Sequence, residues 1–157
     1  MKQDRFLIGI LIFIGTLVIA ALALFFVQKE IRDYRPGSEP ADVVYNYALA
    51  IQKGDFERAY SYLADGKNKP SYEYFLQNFR YATLDAALEI QSTRVEGKEA
   101  WVDVMLHYAG SGPFDSGWSS PDAARLVRQQ GEWKLLYVPA PYWGWDWFQP
   151  TPEPVGP

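Results

Sequence analysis

Near Leu84 the spacing of apolar residues changes from helical to alternate, and this change sets the fold class. Upstream of it, Val44, Tyr47, Ala48 and Ile51 recur at three- and four-residue intervals after Pro40, a residue suited to a first helical turn. Gly54 stops that helix, and Asp55 caps a second one with the stripe Phe56, Ala59, Tyr60 and Leu63. Ser71 caps a third, with Tyr72, Phe75, Leu76 and Phe79 on one face. Downstream, Leu84, Ala86, Leu88 and Ile90 alternate with Asp85, Ala87, Glu89 and Gln91. Glu96-Gly97-Lys98 reads as a hairpin turn. Val102, Val104, Leu106 and Tyr108 then share one strand face, while Trp101, Asp103, Met105 and His107 share the other. A loop is predicted from Gly110 to about Pro121, then a strand over 124–129, a turn at Gln130-Gly131 and a last strand over 133–138. Helices followed by a meander of strands give an α+β order, not βαβ units.

Before these elements, residues 6–27 form a run of 22 residues without a charge. As a helix it is about 33 Å long, enough for a hydrocarbon layer of about 30 Å. The expectation is an N-terminal transmembrane helix, retained as an anchor because a signal-peptide core is shorter. The full expected architecture is this helix, then three helices packed on a curved antiparallel sheet. Its divisions are a head at 1–5, the span at 6–27, a linker at 28–38, a domain at 39–148 and a Pro-rich tail at 149–157. The short head implies an extracytoplasmic domain on a single-pass membrane protein.

Composition narrows the function classes. Aromatics make up 17% of the 157 residues, more than a disordered chain carries. Residues 1–35 hold five Lys/Arg against three Asp/Glu, and residues 36–157 hold ten against sixteen, leaving the domain at −6. An acidic domain argues against nucleic acid. There is no Cys and a single His, which removes disulfides, thiolate chemistry and multi-histidine metal sites. No cofactor is implied.

The run PADVVYNYALAIQKGDFERAYSYLAD at 40–65 resembles the opening helices of nuclear transport factor 2-like domains. VRQQGEWKLLYVP at 127–139 resembles their closing hairpin. The resemblance covers about residues 38–140. It implies a strongly curved sheet wrapped around a cone-shaped pocket, in a superfamily holding isomerases, dehydratases, cyclases and many modules without catalytic activity. The candidate pocket lining is Tyr47, Tyr60, Phe75, Phe79, Leu106 and Trp133.

No catalytic residue is assigned. His107 is the obvious acid–base candidate, but Asp103 on its own face is about 13 Å away along the strand. Its face is the less apolar one, turned from the expected pocket. By sequence pattern Ser111, Ser116, Ser119 and Ser120 have no His partner. After Pro139, the segment 142–148 places Trp143, Trp145 and Trp147 at alternate positions as a candidate aromatic surface. Burying three indoles is favourable, so the strip is expected to pack on its own domain. The function expected is that of a non-enzymatic binding or accessory domain at a membrane surface. The rivals are a cone-cavity enzyme of isomerase or cyclase type and a structural subunit of a membrane complex. The partners expected are the lipid bilayer through the N-terminal helix, a protein or small apolar ligand, and a second copy through the sheet.

Overall fold

The computed structural model describes residues 2–28, 33–80, 84–110, 112 and 115–147, with side chains over 2–6 and 24–28 excepted. The Pro-rich tail expected at 149–157 lies outside the described residues. The chain divides into two compact units, Met1–Asp33 and Tyr34–Pro157.

The first unit is one helix, α1 (Lys2–Gln28). Apart from Thr16, its described side chains are apolar and exposed on every side, Leu11, Ile12 and Phe13 among them. Thr16 returns its hydroxyl to the Ile12 carbonyl, as is usual for Thr within a helix. Among the described residues no helix is long and apolar enough to cross a membrane. The transmembrane helix of the expected architecture is therefore not supported.

In the second unit the order is α2 (Pro40–Lys53), α3 (Phe56–Ser61), α4 (Tyr72–Arg80), β1 (Ala86–Glu96), β2 (Glu99–Tyr108), β3 (Trp118–Gln129) and β4 (Glu132–Tyr137). The strands form one antiparallel sheet in the order β1-β2-β3-β4. Local signals set the helix ends. Gly54 adopts φ 72° after α2, and its N–H donates to the Ala50 and Ile51 carbonyls. This left-handed backbone suits a residue without Cβ. The Asp55 carboxylate accepts from the Arg58 N–H, and the Ser71 hydroxyl accepts from the Tyr74 N–H.

The core lies between the helices and one sheet face. Val44, Tyr47, Ala48 and Ile51 of α2 meet Val102, Val104 and Leu106 of β2, all of them buried. The alternation along β2 thus sorts as the sequence implies. In β1 it does not persist, because Gln91 is a bulge: Ile90 pairs with Val104, but Ser92 pairs with Asp103. One extra residue shifts the side-chain phase and turns Ser92 outward beside Asp103, to whose carboxylate its hydroxyl donates.

The start of β3 departs from the sequence reading. β3 begins at Trp118, inside the predicted loop, and runs through Pro121. Pro121 is tolerated because β4 pairs only with Arg125–Gln129, so β3 is an edge at Pro121 and needs no donor on that side. The outer edge of β4 is partly covered by the end of α3. Leu63 bridges Leu135 in parallel, with Ala64 N–H donating to Leu135 O and Leu135 N–H donating to Tyr62 O. Such a short bridge blunts an edge that would otherwise present unpaired backbone.

Candidate functional site

The space between helices and sheet is where the resemblance implies an open cone. It is filled by the segment after β4. Tyr142 is fully buried, and Trp147 is 2% and Trp143 6% exposed. The Trp147 indole stacks on Phe75 with centroids 5.4 Å apart and meets Phe79 and Trp143 edge-on. Tyr60 adds an edge contact to Phe75, and Tyr47 a tilted one to Trp143.

Polar contacts tie this segment down. The Tyr47 hydroxyl donates to the Tyr142 carbonyl at 2.6 Å, and the Tyr142 hydroxyl donates to the Ala86 carbonyl at 2.8 Å. Gln52 Nε2 donates to the Tyr142 hydroxyl, and Tyr74 donates to Asp146 at 3.1 Å. Gly144 lets the backbone pass directly beneath Trp147, since a Cβ at 144 would lie 2.3 Å from its ring. At about 25 cal/mol per Å² and some 150–250 Å² per large aromatic, each buried indole contributes about 4–6 kcal/mol before ordering costs. That outweighs the Trp147 Nε1–H, which is buried without a hydrogen-bond partner among the described residues, a cost of about 1–3 kcal/mol.

The six candidate pocket residues share one core: Tyr47, Phe75, Phe79, Leu106 and Trp133 are buried in it, and Tyr60 is half-buried against it. Trp133 also borders a separate pocket. Of the candidate aromatic surface, only Trp145 is exposed, at 81%. Trp143 and Trp147 lie inside because the segment turns rather than extends, which breaks the alternation. Among the described residues Asn46 is the one buried residue with a strongly polar side chain, so no carboxylate or imidazole enters the interior. Burial pushes the Tyr47 phenol well above its ordinary range, and it stays a neutral donor.

The outer sheet face carries what sequence pattern missed. His107 Nδ1 lies 2.8 Å from Ser119 Oγ, and Nε2 lies 2.7 Å from Glu89 Oε2. Register brings the three together: His107 faces Ser119 across β2 and β3, and Glu89 lies diagonally on β1. Only the pairing of strands reveals this set. The His107 and Glu89 side chains are 44% and 59% exposed on an open sheet face. The three residues clasp three strands, without walls that exclude water.

A second concavity lies beside the segment that leads into α2. It has a volume of about 380 Å³. Its walls come from residues 34–37, from Val43 and Asn46 of α2, from Arg58, Ser61 and Tyr62 around α3, and from Glu132, Trp133 and Lys134 of β4. Asn46 builds one wall: its Oδ1 accepts from the Arg35 N–H at 2.8 Å and its Nδ2 donates to the Arg35 carbonyl at 3.0 Å. The Tyr34 ring lies beneath the Arg58 guanidinium at 4.0 Å, and its hydroxyl donates to Asp55. Burial, then that hydrogen bond, raises the Tyr34 phenol above its usual value. Burial is also the main cause raising Tyr62. Lys134 Nζ pairs with Glu132 at 2.9 Å and donates to the Ser61 carbonyl. Lys134 holds the Glu132 carboxyl below its usual range.

No family model and no curated protein matches the chain. Among solved structures, it is similar to a SEC-C motif containing protein from Rhodopseudomonas palustris. That likeness has 12% identity, covers 64% of this chain and 77% of that one, and has a TM-score of 0.48. It is also similar to a structure described as an NTF2-like transpeptidase from Campylobacter jejuni. Here identity is 14%, coverage 62% and 96%, and the TM-score 0.39.

Proposed function

We propose that residues 34–147 form a non-catalytic binding or accessory module of nuclear transport factor 2-like type, which binds outside the cone. One observation carries this reading: the interior is occupied by the chain's own Tyr142, Trp143 and Trp147 and, among the described residues, receives no carboxylate or imidazole. An isomerase or cyclase needs an open, water-excluding site with an acid or base of suitable pKa facing the substrate. Here the space is taken and burial holds the Tyr47 phenol neutral. The pocket between residues 34–37 and β4 is the concavity that supports binding. Its volume falls within the range of about 300–1,000 Å³ usual for small-ligand sites.

Thermal shift with indole as the probe tests the filled interior. The intact chain is expected to show no stabilisation, whereas Trp147→Ala, with a vacated ring-sized space, is stabilised by indole. Stabilisation of the intact chain that Trp147→Ala abolishes would show an interior that admits ligands, and the reading would fail.

A further inference from the structure

We infer that the pocket between residues 34–37 and β4 is a site for a small organic oxyanion, one carboxylate or phosphate head on a flat body. The inference deepens the reading above and rests on it, since it assumes that binding lies outside the cone. Three cations, Arg35, Arg58 and Lys134, line the pocket, and each has one carboxylate partner, Asp42 at 3.9 Å, Asp55 at 3.3 Å and Glu132 at 2.9 Å. The surrounding residues 36–157 carry sixteen acidic side chains and ten basic ones. The recognition is therefore by N–H donors rather than by net charge: the Arg58–Asp55 contact runs through Nε and leaves the two Nη groups for a ligand.

Each cation is positioned by a second contact. The Arg58 guanidinium lies over Tyr34 and meets Asp55 through Nε at 3.3 Å. An arginine fixed in this way offers N–H donors in the fork geometry that oxyanions take. The Arg35 guanidinium lies 4.0 Å over Tyr45, and its approach to Asp42 is loose at 3.9 Å. Lys134 is steadied by the Ser61 carbonyl as well as by Glu132. Asn46, 1% exposed, grips both backbone polar groups of Arg35 and sets the wall before any ligand arrives. A pre-formed wall spares a ligand part of the ordering cost. Tyr62 lines the pocket beside the Arg58-covered Tyr34 and the mostly buried Trp133, which gives the body of the ligand aromatic surroundings. Aromatic faces with a few convergent polar groups are the usual lining of small-molecule sites.

Calorimetric titration of the full chain with four probes of one shape tests this: benzoate, phenyl phosphate, neutral benzamide and cationic benzamidinium. The oxyanions are expected to bind about ten-fold or more tighter than benzamide, with benzamidinium weakest, and to weaken as salt rises. Arg58→Gln and Lys134→Gln each lower oxyanion affinity by about ten-fold and leave benzamide unchanged, while Arg58→Lys recovers only part of the loss. Circular dichroism confirms that each variant keeps the fold. Equal affinity for benzoate and benzamide, or indifference to both glutamine variants, overturns the oxyanion assignment while the pocket still stands as a binding site. Absence of heat from all four probes overturns both the assignment and the pocket reading.

Discussion

The two faces of the sheet are made by the same strands, yet they are held by different physics. On the inner face, Val102, Val104 and Leu106 pack against α2, and aromatic rings brought by the segment after β4 join the same core. On the outer face, His107, one residue from Leu106, is held by Ser119 and Glu89 in contact with water. Burial on one side makes each ring worth several kcal/mol. Solvent on the other side makes a well-formed hydrogen-bonded set worth little. A short, well-aligned polar constellation is thus no sign of energetic or chemical importance by itself. What surrounds it decides.

The largest effect expected from breaking this contrast is at Trp147. Trp147→Ala removes a buried ring stacked on Phe75 and is expected to cost about 3–5 kcal/mol in urea unfolding, with loss of blue-shifted emission. A loss under about 1 kcal/mol would show that the interior does not depend on the segment.

Next is Tyr47→Phe, which leaves the buried Tyr142 carbonyl without its phenol donor and is expected to cost about 1–3 kcal/mol. The same residue gives the pH dependence. Its folded pKa is raised above the unfolded value near 10, so the native state keeps a proton that the unfolded chain releases. The contribution is whole below about pH 10 and is lost as pH rises beyond it. Unfolding midpoints measured from about pH 8 to 11 are expected to fall at the alkaline end, and less steeply in Tyr47→Phe. Burial also raises Tyr62 and Tyr137, which act in the same direction.

Gly144→Ala sharpens the comparison by testing the close approach alone. The new Cβ must displace Trp147, and the expected cost is about 1–3 kcal/mol with the outer face unchanged.

The smallest effect expected is at the outer face. His107→Ala should change stability by no more than about 1 kcal/mol, as exposed polar pairs usually do. A loss of several kcal/mol in the same urea assay would mean that the clasp is buried by a partner.

Much of the fold was legible because it depends on neighbours in sequence. The stripe of α2, the Gly54 stop, the caps at Asp55 and Ser71 and the turns at Gly97 and Gly131 are local events, and the structure has them. Pro121 sits in a strand rather than in the predicted loop because a proline only removes one donor, and whether β3 needs that donor depends on where β4 stops. The Glu89–His107–Ser119 set was hidden because it spans three strands, and Ser119 fell in the stretch read as loop.

What the sequence determined by itself is the α+β order, the apolar stripes and the acidic balance, since propensity, period and charge are properties of consecutive residues. The tertiary structure alone decided that Trp143 and Trp147 fill the interior while Trp145 faces water, and that Arg35, Arg58 and Lys134 share one wall. These outcomes turn on contacts between residues tens of positions apart. Their energies exist only once the chain has closed on itself.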